Sequence, residues 1–528
     1  MRVLDKHKFW MYILPFIIFG IYYLIKSYWF LPHDFANYYF GAYFLDRGLF
    51  SPVIYDPIWF NQHIFEIQKN VFASYAPNTP FLAMFFWPFT LVSFSTAKLV
   101  FNITSLLLFI YALRNLFNEY KIPYIHYLTI LLLFFFPIKN NILFGQVYLL
   151  LFFLISEGFL AYKKNNYYKM GGLWGLAILL KIFPIILFAF LLFRKKIKGL
   201  IVLAFCSLGF LGISIYLNGI DSWMFFFENI LPKATKGEIS GEFIKNYQSI
   251  LMFLKHIFVY HQTKNPFPLI DNSYYYHFFL LLSKIILVGY GLYFSYKKKQ
   301  AIQGFSYWIL ATYLLSPYGS NYSSLLLIFI VIMVFSDTFD FRNKNNIGIL
   351  LLLFLISNLP IKYFFDFPLP LSFFKLFLFI SLWLVLILEK HISYKLHLTI
   401  GSISIIVSLL VTSLSHKKPA MLTKTNMLFE DQQQSIIYDY TIKNGYLVYK
   451  YWSEKGSQTK KTDYKITSIN YNDIYLKDNN VYYLDKQITD DTAHKLKPAI
   501  VNGNTLIYLS DYQRGFGFYN FHKTLINN

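Results

Sequence analysis

Residues 198–217 read KGLIVLAFCSLGFLGISIYL, and Lys198 is the only charged residue among them. An α-helix needs about 20 mostly apolar residues to cross the roughly 30 Å hydrocarbon core of a bilayer. This stretch therefore predicts a transmembrane helix. Cys206, the one cysteine of the chain, lies within it, so no intramolecular disulfide is possible and cysteine usage does not indicate a compartment.

Apolar runs of similar length recur through residues 1–416. Several are short or contain proline, so we predict about 11–14 spans in an all-α polytopic membrane domain. The basic flank Met1–Lys8 and the apolar run after it could form a cleaved signal peptide. The run is about 20 residues long and lacks a small-residue cleavage site, so we favour an uncleaved first helix. The runs are residues 9–30, 79–95, 97–118, 122–138, 142–162, 169–193, 198–217, 276–296, 302–318, 321–336, 346–360, 370–388 and 395–415.

The composition agrees with a membrane protein. Hydrophobic residues make up 56% of the 528 residues and charged residues 14%, against about 45–50% and 25% in soluble proteins. The net charge of +21 would suit nucleic-acid binding. However, the basic residues form short clusters between apolar runs, which is typical of the positive-inside rule. We therefore expect membrane lipids, and no nucleic acid, as partners. The clusters are Lys163–Lys164, Arg194–Lys198, Lys297–Lys299 and Arg342–Lys344.

The basic clusters also predict the orientation. A cytoplasmic N-terminus places the loop 31–78 and the C-terminal domain outside. The clusters Lys163–Lys164 and Arg194–Lys198 both favour the cytoplasm, although only residues 169–193 separate them. We favour a hairpin bent near Lys181–Pro184 for that segment. Low cysteine and high Lys, Asn and Phe usage is typical of bacteria, which indicates a multi-pass protein of the inner (plasma) membrane.

Residues 417–528 differ from the rest of the chain. Apolar and polar residues alternate at Ile436–Tyr440 and Tyr446–Tyr451, and Asn444–Gly445 lies between them. Alternation with an intervening Asn-Gly pair is the pattern of a β-hairpin. We predict a small extracytoplasmic β-rich domain, in which no catalytic motif is evident.

The outside loop 31–78 carries the first candidate for chemistry. Asp34 directly follows the first apolar run, at the expected outer membrane surface. A carboxylate there is suited to accept a proton from an acceptor hydroxyl; the alternative is a helix N-cap. Residues Phe40–Leu45 predict an amphipathic helix along the interface, which Asp46-Arg47-Gly48 would end.

Lys181 is the second candidate. It lies inside a long apolar run, where a lysine costs about 2.5–3.5 kcal/mol or more at the bilayer centre and commonly marks a functional site or an ion pair. At a hairpin tip it would hold a phosphate as a point charge. The alternative is that its ammonium group snorkels to the interface.

Three further polar segments face the same side of the membrane: Lys139–Asn141 with Gln146, Asn246–Ser249, and Ser316–Asn321. Amide side chains of this kind suit hydroxyl-rich ligands such as sugars, although a simple turn explains each segment alone. Together with Asp34 and Lys181 they predict a cavity that opens outward. His and Cys show no metal-ligand spacing, and no metal or other cofactor is expected.

In order along the chain, these segments resemble the membrane glycosyltransferases of the GT-C superfamily. The closest likeness is to glycosyltransferase family 87, which includes mycobacterial mannosyltransferases, and a more distant one is to the eukaryotic GPI mannosyltransferase I. The resemblance covers residues 9–340. Its motifs are Asp34-Phe35-x-x-Tyr38, Tyr75–Pro77, Gly145-Gln146, Leu180–Pro184, Asn246–Ser249 and Leu315–Pro317.

The resemblance implies a GT-C-like fold and an enzyme that needs no metal. Such an enzyme moves mannose, or another hexose or pentose, from a polyprenyl-phosphate donor to a hydroxyl of a lipid- or glycan-linked acceptor outside the membrane. The sugar carbon inverts, Asp34 is the base, and Lys181 lies near the donor phosphate. The substrate-binding residues it implies are Tyr38, Arg47, Lys139, Asn141, Gln146, Lys181, Asn246, Gln248, Tyr318 and Asn321.

One feature departs from the family. Many members carry Trp and His soon after the Ser-Pro pair, whereas residues 316–322 contain no histidine. Either Tyr318 or Asn321 then takes over the role of that histidine, or the acceptor differs.

Two other functions remain open from the sequence. A secondary transporter would show internal repeats and paired broken helices; no convincing repeat is seen, and the loop 31–78 is long for a carrier. A non-catalytic envelope-assembly protein would act through the β-rich domain instead.

Overall fold

The computed structural model is helical up to Ser415 and forms β-strands after it. It describes residues 4–30, 34–239, 243–261, 265–297, 300–319, 322–336, 344–388, 393–415, 426–429, 436–453, 455–512 and 514–526. The helices are α1 (Leu4–Trp29), α2 (Phe35–Asp46), α3 (Pro57–Ile67), α4 (Pro80–Phe86), α5 (Phe94–Tyr120), α6 (His126–Leu133), α7 (Phe135–Phe144), α8 (Tyr148–Lys163), α9 (Tyr167–Leu180), α10 (Ile186–Phe193), α11 (Ile197–Asn218), α12 (Ile220–Phe225), α13 (Leu231–Thr235), α14 (Ile250–Phe258), α15 (Ser273–Lys297), α16 (Ala301–Leu315), α17 (Ile328–Ser336), α18 (Lys344–Asn358), α19 (Phe374–Ile387) and α20 (Tyr394–Ser415).

Among the described residues, five helices are long and apolar enough to cross a membrane, which makes the chain a multi-pass membrane protein. Their most apolar stretches are buried to very different extents, from 11% in α11 to 50% in α5. A helix that is apolar all round and little buried by protein faces lipid. α5 is therefore the most central of the five, which lie at Phe9–Trp29, Phe94–Tyr120, Ile197–Asn218, Ser273–Tyr296 and Tyr394–Leu414.

The predicted 11–14 spans exceed this number because many apolar runs form shorter helices. α6 and α7 meet at a 70° bend and together count as a sixth span, broken or re-entrant. The shorter apolar helical segments are Pro80–Leu91, Phe183–Phe193, Ser323–Ser336, Asn345–Asn358 and Leu371–Ile387. Within the part of the chain that the structure describes, length and composition thus support five spans, or six if the bent pair is one span.

The helix breaks near Lys181–Pro184, where the sequence predicts a bend; a hairpin that returns to the same side stays a prediction. α9 ends at Leu180, and Lys181 is extended, with φ −148° and ψ 128°. Pro184 has no backbone N–H to donate to the Leu180 carbonyl four residues earlier, so α9 cannot continue through it. A short 3₁₀ turn follows before α10 begins.

The prediction of an amphipathic interfacial helix at Phe40–Leu45 is wrong. α2 is buried on nearly all sides, including Tyr38, Phe40 and Phe44. The ring of Phe40 stacks on Phe94 at the start of α5, with centroids 5.5 Å apart. α2 is thus a core helix of the protein, and only its C-terminal end, at Asp46, is exposed.

The predicted β-rich region is confirmed. Its strands are β1 (Asn426–Phe429), β2 (Ile436–Lys443), β3 (Tyr446–Ser453), β4 (Gly456–Lys465), β5 (Ile469–Asn470), β6 (Ile474–Lys477), β7 (Asn480–Tyr483), β8 (Lys486–Gln487), β9 (Lys495–Val501), β10 (Thr505–Ser510) and β11 (Asn520–Leu525). They form sheets in the orders β1-β11-β10-β9-β5, β2-β3-β4 and β6-β7-β8. Asn444 and Gly445 both have positive φ, 53° and 74°, so they make the hairpin turn between β2 and β3. We call residues 426–526 the β domain.

His522 in β11 makes the β domain sensitive to acid. Its ring is buried against Tyr508, and neither ring nitrogen has a hydrogen-bond partner among the described residues. Burial, with Lys495 and Arg514 adding positive charge nearby, lowers the pKa of His522 to about 3. Since an unfolded histidine has a pKa near 6.5, stability is full above that pH and falls as the pH drops toward 3.

We therefore expect the β domain of the full-length protein to be cut faster by protease at pH 4.5 than at pH 7.5. Two pH units below 6.5 correspond to a loss of about 3 kcal/mol in unfolding free energy. A His522→Phe variant keeps the aromatic contact and has no proton to bind, so most of the acid effect should disappear. Equal acid sensitivity in the variant and the wild type would place the responsible group elsewhere.

Candidate functional site

A polar cavity of about 370 Å³ lies between α2, the start of α8 and the β domain. We call it the polar cavity. It brings together five residues that the sequence predicts as site residues, although they come from four separate segments of the chain. They are Asp34, Tyr38, Gln146, Lys181 and Tyr318.

Asp34 immediately precedes α2 and lines the polar cavity. Its backbone is helical, with φ −58° and ψ −31°, and its side chain makes no capping hydrogen bond to α2. The Asp34 carboxylate therefore does not act as the N-cap of α2. Its negative charge acts on the ammonium group of Lys181 and on Tyr322.

Lys181 extends from the break between α9 and α10. Its Nζ donates a hydrogen bond to Asn78 Oδ1 at 3.1 Å and lies 5.5 Å from the centre of the Tyr38 ring. The amide oxygen and the ring face compensate for part of the water that the ammonium group loses. Lys181 is thus held at the cavity by partners within the protein.

Tyr38 and Gln146 connect α2 to the start of α8. The Tyr38 hydroxyl donates to Gln146 Oε1 at 2.9 Å. Gly145 ends α7 with φ +68°, and a Cβ there would lie 2.6 Å from Phe35 Cβ. Glycine is therefore needed for the close contact that sets Gln146 beside α2.

Tyr318 belongs to a turn that two predicted polar segments build together. Ser316 Oγ accepts from the Tyr318 N–H at 3.1 Å, and Ser249 Oγ donates to the Pro317 carbonyl at 2.8 Å. The Tyr318 ring meets Tyr247 edge to face, with centroids 4.8 Å apart. Ser249 and Ser316 thus fix the wall that Tyr318 and Tyr247 present to the polar cavity.

An apolar cavity of about 600 Å³ adjoins the polar one and reaches between α10 and α16. We call it the apolar cavity; its lining includes Phe183, Ala189 and Ile309. The residues that border both cavities are Pro77, Asn78, Tyr148, Lys181 and Tyr318. The hydrogen-bonded pair of Lys181 and Asn78 therefore forms part of the wall that the polar and apolar cavities share.

The central part of the chain matches a known protein family. Residues 76–317 match the family model of glycosyltransferase family 87. No curated protein matches the chain. The resemblance to family 87 is confirmed over this segment, and the family indicates a membrane glycosyltransferase. A GT-C-like fold stays a prediction.

The family 87 segment supplies eight of the nineteen lining residues, including Asn78, Gln146 and Lys181. Asp34 and α2 come before it, and the β domain comes after it. Of the predicted site residues that line the cavity, Asp34 and Tyr38 precede the matched segment, Gln146 and Lys181 lie within it, and Tyr318 directly follows it.

Three predicted site residues lie outside the lining of the polar cavity. The Arg47 side chain is 61% exposed and lies over the Tyr43 ring. Lys139 lies 5.0 Å from the centre of the Phe136 ring, and Asn246 is exposed. None of these three residues lines the polar cavity.

Two predicted amide residues are buried and bind backbone carbonyls instead of lining the cavity. Asn141 donates to the carbonyls of Pro137 at 2.8 Å and Tyr322 at 3.1 Å. Gln248 donates to the carbonyls of Lys245 at 2.7 Å and Ser372 at 3.0 Å. Asn141 supports the site indirectly because it holds Tyr322, which lines the cavity. Asn321 lies outside the described residues.

Sequence reasoning did not select several lining residues. Asn78 directly follows the Tyr75–Pro77 motif and precedes the second apolar run. Its position between them was a sequence signal that could have identified it as a site residue. Arg514 and Phe518 belong to the β domain, and no local pattern marks them. Among the described residues, no group of three or more His, Cys, Asp or Glu side chains is placed to hold a metal ion.

Proposed function

We propose that this protein transfers a hexose or pentose, such as mannose, from a polyprenyl-phosphate donor to an acceptor hydroxyl. One observation supports the proposal: a polar cavity lined by a carboxylate, Asp34, adjoins an apolar cavity, and Lys181 lines both. A donor of this class has the same sequence of parts, namely a sugar, a phosphate and an isoprenoid chain. The transfer is proposed to take place on the outer side of a bacterial inner membrane.

The donor would lie across both cavities. Its isoprenoid chain fits the apolar cavity, whose lining between α10 and α16 is largely aliphatic and aromatic. Its phosphate would meet the Lys181 ammonium group, a compact charge suited to phosphate. Its sugar would then occupy the polar cavity, where Tyr38, Gln146 and Tyr318 offer hydroxyl and amide groups.

The proposed reaction is a single in-line displacement. Asp34 accepts the proton of the acceptor hydroxyl while the hydroxyl oxygen forms a bond to the anomeric carbon. The bond from that carbon to the phosphate oxygen breaks, and the phosphate keeps the electron pair. Attack opposite the leaving group inverts the anomeric carbon. Lys181 stabilises the charge that develops on the phosphate.

The proposal is tested with purified full-length protein in nanodiscs. A panel of radiolabelled polyprenyl-phosphate sugars is offered, and both sugar release and sugar transfer are measured. We expect one sugar of the panel to be consumed preferentially. Donors that bind without being consumed, or solute uptake into sealed vesicles by the same protein, would contradict the proposal.

The apolar cavity should make activity depend on the length of the lipid. Ala189 on α10 lines it, and an Ala189→Trp variant should obstruct the isoprenoid chain. We expect KM for a long-chain donor to rise about tenfold or more, since each displaced methylene is worth about 0.8 kcal/mol. A two-isoprene donor should be affected much less.

Ala204→Trp is the matched control. Ala204 lies on α11, a mostly lipid-facing helix, and does not line the apolar cavity. Chain-length dependence should therefore stay as in the wild type. If Ala189→Trp affected donors of both lengths equally, the lipid would not lie in this cavity.

A further inference from the structure

A loop of the β domain forms part of the wall of the polar cavity. The chain from Asp511 to Phe518, between β10 and β11, places Arg514, Gly515 and Phe518 on the cavity. We call it the β10–β11 loop. None of these three residues lines the apolar cavity. The loop also lies outside the segment that matches family 87.

A buried ion pair attaches the β10–β11 loop to the helical part of the protein. Lys233 Nζ on α13 lies 3.1 Å from Asp511 Oδ1, and the Asp511 side chain is fully buried. Lys233 also donates to the carbonyl oxygen of Arg514 at 3.0 Å. Asp511 accepts two backbone N–H groups, from His494 at 2.8 Å and Gly517 at 3.0 Å.

A buried ion pair is favourable only when further hydrogen bonds satisfy its remaining atoms. Asp511 and Lys233 meet this condition because both atoms of the carboxylate and the ammonium group have partners. Removing either charge would leave the other buried without its counterion. The pair therefore fixes the position of the β10–β11 loop against α13.

Close packing holds the loop from two other sides. Phe516 meets Phe225 on α12 edge to face, with ring centroids 5.0 Å apart. A Cβ at Gly515 would collide with the carbonyl oxygen of Ile239, and Gly517 has φ +77° beside Pro57. The loop thus approaches the helical part so closely that only glycine fits at residue 515. It forms a fixed wall of the cavity.

We propose that the β10–β11 loop binds the acceptor, and that the acceptor is a saccharide. This inference rests on the proposed function above. The donor reaches the cavity from the apolar side at Lys181, so the acceptor must reach Asp34 from another side. The β10–β11 loop bounds the polar cavity without touching the apolar one. An acceptor that enters beside it comes from the aqueous face.

The side chains of the loop fit a saccharide. Arg514 Nη1 donates to Asn520 Oδ1 at 2.6 Å, which orients the guanidinium group at the cavity. A guanidinium carries five N–H donors, a group of the kind that binds sugar hydroxyls. The Phe518 ring is half-buried at the cavity, and an aromatic face packs against the C–H face of a sugar ring. Tyr247 and Tyr322 add aromatic rings with hydroxyl groups to the same lining. Arg514 and Phe518 are thus assigned to acceptor specificity, and Asp511 with Lys233 to positioning.

The test separates acceptor use from donor use. The full-length protein in nanodiscs receives one radiolabelled polyprenyl-phosphate sugar, with or without methyl glycosides and disaccharides of common hexoses and pentoses. Hydrolysis without acceptor reports the donor side, and transfer to the saccharides reports both sides. The variants are Arg514→Gln, Phe518→Ala and the conservative Phe518→Tyr. Lys497→Gln, on β9 and outside the cavity lining, is the matched control.

For Arg514→Gln and Phe518→Ala we expect the acceptor KM to rise about tenfold or more while donor hydrolysis stays within about twofold. Phe518→Tyr and Lys497→Gln should keep an acceptor KM close to that of the wild type. Asp511→Asn should raise the acceptor KM as well, without altering the donor KM, because it acts through the position of the loop.

A binding measurement makes the outcome independent of turnover. Binding of the same saccharides is followed by ligand-observed NMR on an Asp34→Asn background and should weaken about tenfold when Phe518→Ala is added. Absent saccharide binding, or unchanged binding in Phe518→Ala, would overturn the acceptor assignment even if donor hydrolysis proceeds. Equal losses of hydrolysis and transfer in Arg514→Gln would overturn it too. Saccharide binding without any consumption of donor would instead contradict the proposed function.

Discussion

Replacement of Asp34 by asparagine is expected to lower glycosyl transfer about 10²–10⁴-fold, the range that a general base contributes. Asparagine has nearly the same shape as aspartate and cannot take the proton from the acceptor hydroxyl. The Asp34 side chain makes no capping hydrogen bond to α2, so the variant does not remove a helix cap. Release of lipid phosphate and transfer of labelled sugar are measured side by side.

Asp46→Asn is the matched control at the other end of α2. The Asp46 carboxylate accepts a hydrogen bond from Trp87 Nε1 at 2.8 Å, and an amide oxygen can accept the same bond. Asp46 does not line the polar cavity, so its variant should transfer sugar like the wild type. Near wild-type activity in Asp34→Asn, with both variants equally stable to heat, would assign the base to another residue.

The sequence predicted the class of the protein because its strongest signals are local. A run such as residues 198–217 is apolar by itself, and the Asn444–Gly445 turn needs only its own two residues. The burial of α2 was not predictable in this way. Its aromatic residues would suit a membrane interface equally well, and only contacts with distant segments such as Phe94 decide that the helix is buried.

The residues of the candidate site were likewise predictable only where their signal is local in the sequence. Asp34 and Lys181 could be selected from the sequence because a charged residue beside or within an apolar run is energetically unfavourable in a membrane and commonly marks a functional site. Asn141 and Gln248 looked like ligands for a sugar, but buried amides serve backbone carbonyls equally well. Arg514 lies more than 300 residues after Lys181. Only folding of the β domain onto α13 brings it to the polar cavity.

Lys181→Met is expected to have the second largest effect. The variant loses the only ammonium group that borders both cavities among the described residues, while methionine preserves most of the apolar side-chain volume. A hydrogen-bonded charge pair that loses one partner typically costs about 2–5 kcal/mol, so kcat/KM for the donor should fall about 30-fold or more. Lys181→Arg should recover part of the lost kcat/KM because the guanidinium keeps the positive charge. Recovery should be incomplete because the planar guanidinium has a different geometry from the ammonium group.

The measurement that identifies the role of Lys181 is a comparison of donors across variants. Lys164→Met, which removes an exposed lysine at the C-terminal end of α8, should leave all kinetic constants unchanged. In Lys181→Met, binding of a polyprenyl phosphate should weaken, whereas binding of the uncharged polyprenol should not. If both lipids bound Lys181→Met as they bind the wild type, the phosphate would lie away from Lys181. The junction of the two cavities would then fail as the donor site, even with Asp34 confirmed as the base.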